Sequence, residues 1–501
     1  MPGIPCRECA PVFFYKGDGV FGIMANVLAT YVVLFVLFGA FLERCGAQKF
    51  FIDWPLAAVG HKVGGPAKVS VIASGLFGSI SGSAIANTVS TGTFTIPMMK
   101  KAGFRPHIAG GIEPAASIGG MFMPPIMGAG GFIMAEMTGL PYSRIMLIAI
   151  FPAIMYFFSV YMMIHWEAKK YNVVGERSAK PAMQILKEEW IYILPLVVIT
   201  IFMLTGFSPG YSAILGLATC VAVSFKGGDD TKIDLTVVWV MAFVLLGGWL
   251  LRGMTAVMGP ESVAPVKRIF TERYLVVYGL IFAVILAVRR RAKGADLKTE
   301  LTQFVDACRI GTTSSLKIGA TVGVIGVIIG VLTYSGLVLT FADIVIELAG
   351  GSLILTILLI ALASLVLGMG VPVTAAYLIT AVVAVPALTH LGVNEVAAHM
   401  IVYWLSQDSN ITPPVCIAAF AGATIAKANM WRTAFAAFKF AKFLYLGPFL
   451  FGYVPAFSLD GSAMDIVKAF VLIILGTYVY AYLLSGIWFS QITGLFKKAP
   501  A

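Results

Sequence analysis

The stretch Ser79-Ile80-Ser81-Gly82-Ser83-Ala84-Ile85-Ala86-Asn87-Thr88, followed by Pro97 and then by Pro124-Pro125, decides the fold, because the chain carries it in two versions. Its counterpart is Gly368-Met369-Gly370-Val371-Pro372-Val373-Thr374, followed by Pro386 and by Pro413-Pro414. Pro97 and Pro386, Gly103 and Gly392, and Pro124 and Pro413 each lie 289 residues apart. In both versions a glycine-containing break interrupts an apolar segment, and the Pro-Pro break follows 27 residues after the first proline. Breaks at matching points of two halves mark the binding site of a transporter built from internal repeats.

Composition sets the solvent. Of 501 residues, 59% are apolar and only 12% charged, with a mean hydropathy of +0.92. A soluble chain carries about 25% charged residues, so this is an integral membrane protein. Apolar runs of roughly 17–25 residues recur, the length a helix needs to cross a ~30 Å hydrocarbon core. Barrel-type alternation is absent, so the spans are helical. The net charge of +11 comes from lysines and arginines clustered in short loops, which orient spans and call for no nucleic acid partner. Cys6-Arg7-Glu8-Cys9 has neither a second pair nor a nearby histidine and reads as no metal site. No His-x-x-x-His or His-Glu-x-x-His pattern and no Gly-Lys-Ser/Thr phosphate loop occurs. An enzyme of those kinds, and ATP as the driver within this chain, are therefore not expected.

Residues 1–20 form an N-terminal segment without a signal peptide. The first repeat, 21–225, opens with a span over Gly22–Leu42 and an amphipathic stretch over Phe50–Gly65 that suits the membrane interface. Residues 68–100 are too long for one span and too polar at their centre to face lipid, which predicts a re-entrant helical hairpin with its tip covered. His107–Glu136 crosses with a break at Ser117–Pro125. Spans over Ile145–Ile164, Trp190–Gly206 and Tyr211–Phe225 follow. Residues 226–293 are an inserted span pair, Leu235–Leu251 and Tyr274–Val288, with the basic run Arg289–Lys293. The second repeat, 294–455, starts with amphipathic Asp296–Lys317 and then spans from Ile318. It carries a hairpin over 352–388, a broken helix over Asn394–Ala426 and a span over Phe443–Val454; residues 456–501 hold the last span. Lys100, Lys101 and Arg105 follow the first hairpin, whereas Thr389–Asn394 after the second has no Lys or Arg. The hairpins are thus expected to open to opposite faces, as in inverted repeats.

A helix broken at mid-depth leaves carbonyls on one stump and N–H groups on the other. Carbonyl and side-chain oxygens suit a hard cation, and N-terminal stumps suit a carboxylate. The candidate substrate and cation residues are Ser81, Ser83, Asn87 and Thr88 facing Gly119 and Gly120, and Gly370 and Thr374 facing Asp408, Ser409, Asn410 and Thr412. The competing reading is that the small residues only permit close helix packing. Asp408 lies roughly 21 Å beyond Asn394 along the chain, where an acid costs about 2.5–3.5 kcal/mol on insertion scales. It ligands a cation, carries a proton, or pairs with a base on another helix. Glu113, roughly 9 Å past His107, is functional or reaches the interface. His399 and Glu395 read as solvated residues near a boundary.

The runs Ser81–Thr93, Met123–Ala129, Leu367–Tyr377 and Ile411–Val415 resemble the large membrane subunit of tripartite ATP-independent periplasmic (TRAP) transporters. They are most similar to the fused-permease type that works with TAXI-class binding proteins. The likeness covers about 18–225 and 294–455. It implies an all-α polytopic membrane fold of the elevator type, similar to the ion-transporter superfamily: inverted repeats with two re-entrant hairpins and two broken helices. Ser79–Thr88, Ser117–Pro125, Gly368–Thr374 and Ser406–Pro414 would form a domain that slides against a scaffold, carrying an organic acid and cations. Na⁺ is the expected coupling ion, with Ser81, Asn87, Gly370, Thr374, Asn410 and Thr412 as its candidate ligands, and H⁺ is the other option because Gln407-Asp408 adds an acid. No further cofactor is implied. The expected partners are the lipid membrane, a periplasmic substrate-binding protein of the TAXI class, and a small four-helix membrane subunit, separate or missing from this chain. The resulting expectation is an inner-membrane permease that imports a small carboxylate on a Na⁺ or H⁺ gradient. A transporter of the same fold without a binding protein is the alternative, and a channel is disfavoured by two gated half-sites.

Overall fold

Glycine, proline and serine punctuate an otherwise apolar chain, and the helices start and stop at them. In the computed structural model, which describes residues 19–175, 178, 180–224, 297–335, 337–369 and 371–486, α1 (Ile23–Val27) passes through a π turn at Leu28–Val32 into α2 (Val33–Arg44). There follow α3 (Ala47–Val59), α4 (Gly65–Ser81), α5 (Ala84–Lys101), α6 (Pro106–Gly119), α7 (Gly128–Thr138) and α8 (Tyr142–Lys170). After these come α9 (Ala182–Glu189), α10 (Leu194–Leu204) and α11 (Pro209–Ser224). The second half holds α12 (Leu297–Ser335), α13 (Leu337–Leu348), α14 (Leu353–Leu367), α15 (Val373–His390), α16 (Glu395–Leu405), α17 (Ile417–Ala426), α18 (Met430–Phe440) and α19 (Phe443–Tyr453). α20 (Ala463–Ser485) closes the described chain. The inserted pair at 235–290, Arg289–Lys293, Cys6, Cys9 and Gly370 lie outside the described residues.

Six described stretches are long and apolar enough to cross a membrane: Ala25–Arg44, Tyr142–Lys170, Phe304–Ile328, Val373–His390, Met430–Tyr453 and Ala463–Ser485. The chain is an all-helical, multi-pass membrane protein. Both expected hairpins are present as helix pairs, α4–α5 and α14–α15, and both expected broken helices as α6/α7 and α16/α17. The backbone repeats as well. Gly103 (φ 105°) matches Gly392 (φ 86°), Met127 (φ 54°) matches Cys416 (φ 31°), and Pro124-Pro125 and Pro413-Pro414 are both cis. Left-handed backbone is uncommon for a residue with a Cβ, so its return at Cys416, 289 residues after Met127, marks one loop design used twice.

α6 is the hub. α4 and α5 pack on it from the first hairpin, α17 and α18 from the second half, and α8 closes the remaining side. The α6–α17 contact is backbone on backbone: a Cβ on Gly422 would lie 2.2 Å from the Gly110 carbonyl oxygen. A second layer is built from α2, α11 and α12. An aromatic seam joins the two broken helices, with Phe122 stacked on Trp404 at 4.4 Å and Tyr156 edge-on to Trp404.

Four expectations need correction. The described part of the amphipathic stretch, Leu297–Lys317, and the following span are one continuous helix, α12. The span over Phe443–Val454 is only the second half of a bent crossing, Met430–Tyr453; α19 alone, 11 residues, reaches only about 16 Å. Lysines broke that apolar run in the sequence, but Lys439 is neutralised by Glu167 at 2.6 Å. His399 is not solvated: it is buried with its Nδ1 2.9 Å from the Tyr377 hydroxyl, because hairpin helix α15 covers that face of α16. Glu113 does not reach the interface; it is wholly buried under α4 and α5.

Candidate functional site

The first hairpin turns at Ser81-Gly82-Ser83. Gly82 (φ 58°) ends α4, and the Ser83 hydroxyl accepts from the Ala86 N–H at 3.3 Å to start α5, the usual role of an N-cap serine. The arm rests directly on the first break, since a Cβ on Gly120 would lie 2.4 Å from the Gly78 Cα. Asn87 ties three helices at this point. Its Nδ2 donates to the Ser74 carbonyl at 3.0 Å and to the Ser117 carbonyl at 3.2 Å. Its Oδ1, the Thr88 and Ser117 hydroxyls and the Ser81 hydroxyl are buried with no protein partner. Buried polar atoms are ordinarily paired, so these oxygens are available to something the protein binds.

Tyrosines take up the carbonyls of the first break. The Tyr142 hydroxyl lies 2.8 Å from the Pro125 and 2.7 Å from the Ile126 carbonyl oxygen. The Tyr403 hydroxyl, from the second half, lies 2.8 Å from that of Met121 and 2.5 Å from that of Met127. Tyr142 and Tyr403 have no tyrosine counterparts in the repeat: Trp431 stands 289 residues after Tyr142, and Pro114 stands 289 residues before Tyr403. Around the second break Asp408 Oδ1, both polar atoms of Gln407 and the Ser364 and Thr380 hydroxyls are buried without a protein partner. Asn410 Nδ2 donates to the Gln407 carbonyl at 3.3 Å, and Thr412 hydrogen-bonds to the Tyr445 hydroxyl. Tyrosines thus cap the carbonyls of the first break, while the second break keeps an acid and an amide without a protein partner.

One cavity of about 550 Å³ joins the two breaks, within the 300–1,000 Å³ range of small-molecule sites. Its wall includes the first residues of α5 (Ala84, Ile85), α7 (Gly128, Ala129), α15 (Val373, Thr374) and α17 (Ile417). Four helix N-termini therefore meet in one space, each carrying roughly half a positive charge. α2 and α12 also line it, and the charged side chains of the lining are Glu43 and Lys317.

Of the residues singled out by sequence, Ser81, Ser83, Thr374, Ser409 and Asn410 line this cavity. Asn87, Thr88 and Asp408 are buried and do not line it. Gly119 and Gly120 serve close packing: a Cβ on Gly119 would lie 2.7 Å from Tyr156. Sequence reasoning missed the tyrosine caps, Lys317, and Ser70 and Ser74. The last two had a readable signal, four-residue spacing on one arm matched by Thr91 and Thr95 on the other.

Comparison with known proteins places the chain in a family. The family model described as "Tripartite ATP-independent periplasmic transporter, DctM component" matches residues 16–235 and 230–457. The 2,3-diketo-L-gulonate TRAP transporter large permease protein YiaN of Escherichia coli is 30% identical over 183 residues, 36% of this chain and 42% of that protein. The sialic acid TRAP transporter large permease protein SiaM of Vibrio cholerae is 24% identical over 252 residues, 47% of this chain and 58% of that protein. The C4-dicarboxylate TRAP transporter large permease protein DctM of Rhodobacter capsulatus is 34% identical over 125 residues, 25% of this chain and 27% of that protein. The chain spans about half the length of the curated relatives it matches over the longest stretches. With the family model covering both halves and both breaks, the chain belongs to the DctM component family of tripartite ATP-independent periplasmic transporters, multi-pass proteins of the inner membrane.

Proposed function

We propose that this chain is the permease of a secondary active transporter that imports a small organic acid. The carrying observation is the convergence of four helix N-termini on one cavity, because aligned N–H groups at such ends favour an anion. Lys317 on α12 adds a full positive charge to the lining, which also holds Glu43 of α2. The names of the relatives support the substrate class, since YiaN, SiaM and DctM are named for a sugar acid, sialic acid and C4-dicarboxylates. Asp408, Asn410 and Thr412 at the second break, with Thr374 and the Gly370 carbonyl, hold the coupling cation. Na⁺ suits that oxygen set, and Asp408 also admits H⁺. Ser81, Asn87 and Thr88 form the corresponding set at the first break.

In this reading the hairpins are re-entrant from opposite faces, and they move with the broken helices against α2, α11 and α12 as an elevator. The first repeat occupies 21–225 and the second 294–455, with 226–293 inserted. The substrate arrives from a periplasmic binding protein of the TAXI class, and a small four-helix membrane subunit completes the complex.

The test is uptake into proteoliposomes holding the chain, its small subunit and the binding protein, with labelled succinate, sialic acid and 2,3-diketo-L-gulonate as probes. Uptake of one probe is expected only with an inward Na⁺ or H⁺ gradient and only with the binding protein. Downhill flux without a gradient at channel-like rates contradicts the proposal, and gradient-driven uptake without the binding protein favours the simpler transporter. In the same assay Lys317→Ala should raise KM about tenfold, the ~1.4 kcal/mol of one charge-assisted contact. Asp408→Asn should cut cation-driven uptake at unchanged membrane level, and normal Na⁺ and pH dependence would remove Asp408 from coupling.

A further inference from the structure

Glu113 on α6 sits in a cage of four hydroxyls contributed by both arms of the first hairpin. Ser70 donates to Oε2 at 2.6 Å and Ser74 to Oε1 at 2.8 Å, both from α4. Thr91 and Thr95, both from α5, donate to Oε1 and Oε2 respectively. Two donors on each oxygen fill the acceptor sites of an ionised carboxylate. The same cage also fits the neutral acid. Thr91 Oγ1 lies 2.7 Å from the Asn87 carbonyl and Thr95 Oγ1 3.0 Å from the Thr91 carbonyl, so either hydroxyl can turn its proton to the backbone and accept one from Glu113.

The site is sealed and without a counter-charge. A Cβ on Gly92 would lie only 3.1 Å from Glu113 Cγ. The titratable side chains on the helices packed against α6 are engaged elsewhere or face outward. Lys68 of α4 meets His165 of α8 at 3.1 Å, and Lys100 of α5 donates to the Ala426 carbonyl at 2.9 Å. Lys439 of α18 pairs with Glu167 of α8, and the Tyr156 hydroxyl of α8 donates to the Ala115 carbonyl. Lys101, Arg144, Lys169, Lys170 and Arg432 are exposed, and α17 carries no charged residue. Among the described residues no cation forms an ion pair with Glu113. An unpaired acid inside a membrane protein is by default a functional group.

We propose that Glu113 is a proton-binding site built into the first hairpin, distinct from the two breaks, and that its occupancy reports to the cavity through Asn87. The step balances simply. One proton binds a Glu113 oxygen, and the Thr91 hydroxyl exchanges that oxygen for the Asn87 carbonyl as its acceptor. Asn87 is the residue whose side chain ties α4 to the Ser117 carbonyl at the break, so the proton changes the bonding of the hairpin one turn from its tip. This rests on the reading of the chain as an ion-coupled transporter and names a proton site within it.

Infrared difference spectroscopy on the full chain reconstituted in lipid, comparing acid with alkaline buffer, tests it. Wild type should show the carbonyl stretch of a protonated carboxylic acid that vanishes on alkalinisation, Glu113→Gln should lack that band, and Asp408→Asn should keep it. Thr95→Val keeps the acid but removes a donor that favours the carboxylate. Its band should therefore persist to higher pH, by about one unit, a tenfold change in proton affinity. Thr95→Val carries the test even where Glu113→Gln fails to fold. Absence of a pH-dependent band in wild type, its survival in Glu113→Gln, or an unmoved midpoint in Thr95→Val overturns the proposal. The spectrum needs no transport, so gradient-driven uptake without a titrating band overturns this site alone. A titrating Glu113 band in a chain that fails the uptake assay overturns the transporter reading and leaves the proton site standing.

Discussion

Replacing Asn87 with leucine should abolish gradient-driven uptake, by at least about 100-fold, while the chain still reaches the membrane. Leucine keeps the same branched skeleton of four heavy side-chain atoms and removes every polar atom, so the main loss is one of hydrogen bonding. It removes the Nδ2 hydrogen bonds to the Ser74 and Ser117 carbonyls, each worth about 0.5–1.5 kcal/mol net, while the Ser117 carbonyl keeps its bond from the Gly120 N–H. A thermal unfolding shift equivalent to about 1–3 kcal/mol should accompany the loss. Leucine also removes Oδ1, the buried oxygen with no protein partner that the proposed cation site uses. Uptake within twofold of wild type would take Asn87 out of the site and leave the Ser81, Thr88 and Ser117 hydroxyls as the unpartnered oxygens of that cluster.

Gly120→Ala should be nearly as damaging for a steric reason. The added Cβ would stand 2.4 Å from the Gly78 Cα and 2.7 Å from its carbonyl carbon, against backbone that no rotamer change can relieve. α4 and the first break would have to part, and overpacking of this kind costs about 1–3 kcal/mol or more. Uptake should be lost and the unfolding midpoint lowered. Gly476→Ala in α20, where a Cβ meets nothing within 4 Å, is the matched control; it should keep full uptake and gain up to about 1 kcal/mol of helix stability. Equal behaviour of the two variants would show that the hairpin does not rest on the break as tightly as the Gly78–Gly120 contact requires.

Both hairpins and both breaks were legible because Gly and Pro leave local signatures that survive without tertiary information. Residues 68–100 became α4–α5 over 65–101, and 352–388 became α14–α15 over 353–390. Contacts between distant residues were not legible. Nothing near Tyr403 indicates that its hydroxyl serves carbonyls 276 and 282 residues away, and nothing near His399 indicates that α15 covers it. Glu113 was read by its distance from His107, a one-dimensional measure that cannot register a hairpin folding over it. The asymmetry between the breaks was legible only in part. The hydroxyl-rich first stretch and the acid of the second were visible, but the capping of the first break's carbonyls by Tyr142 and Tyr403 depends on packing between halves.

Alternating exposure of the joined cavity is the central claim, and two-sided labelling of a single cysteine measures it most directly. Ile85 is exposed on the first hairpin and lines the cavity, so Ile85→Cys in a cysteine-free background places the probe at the right point. Membrane-impermeant maleimide, added to sealed right-side-out or inside-out vesicles, should reach this cysteine from both sides, with the balance shifting when the cation gradient is reversed. Labelling from one side only, under every gradient, would contradict a moving site.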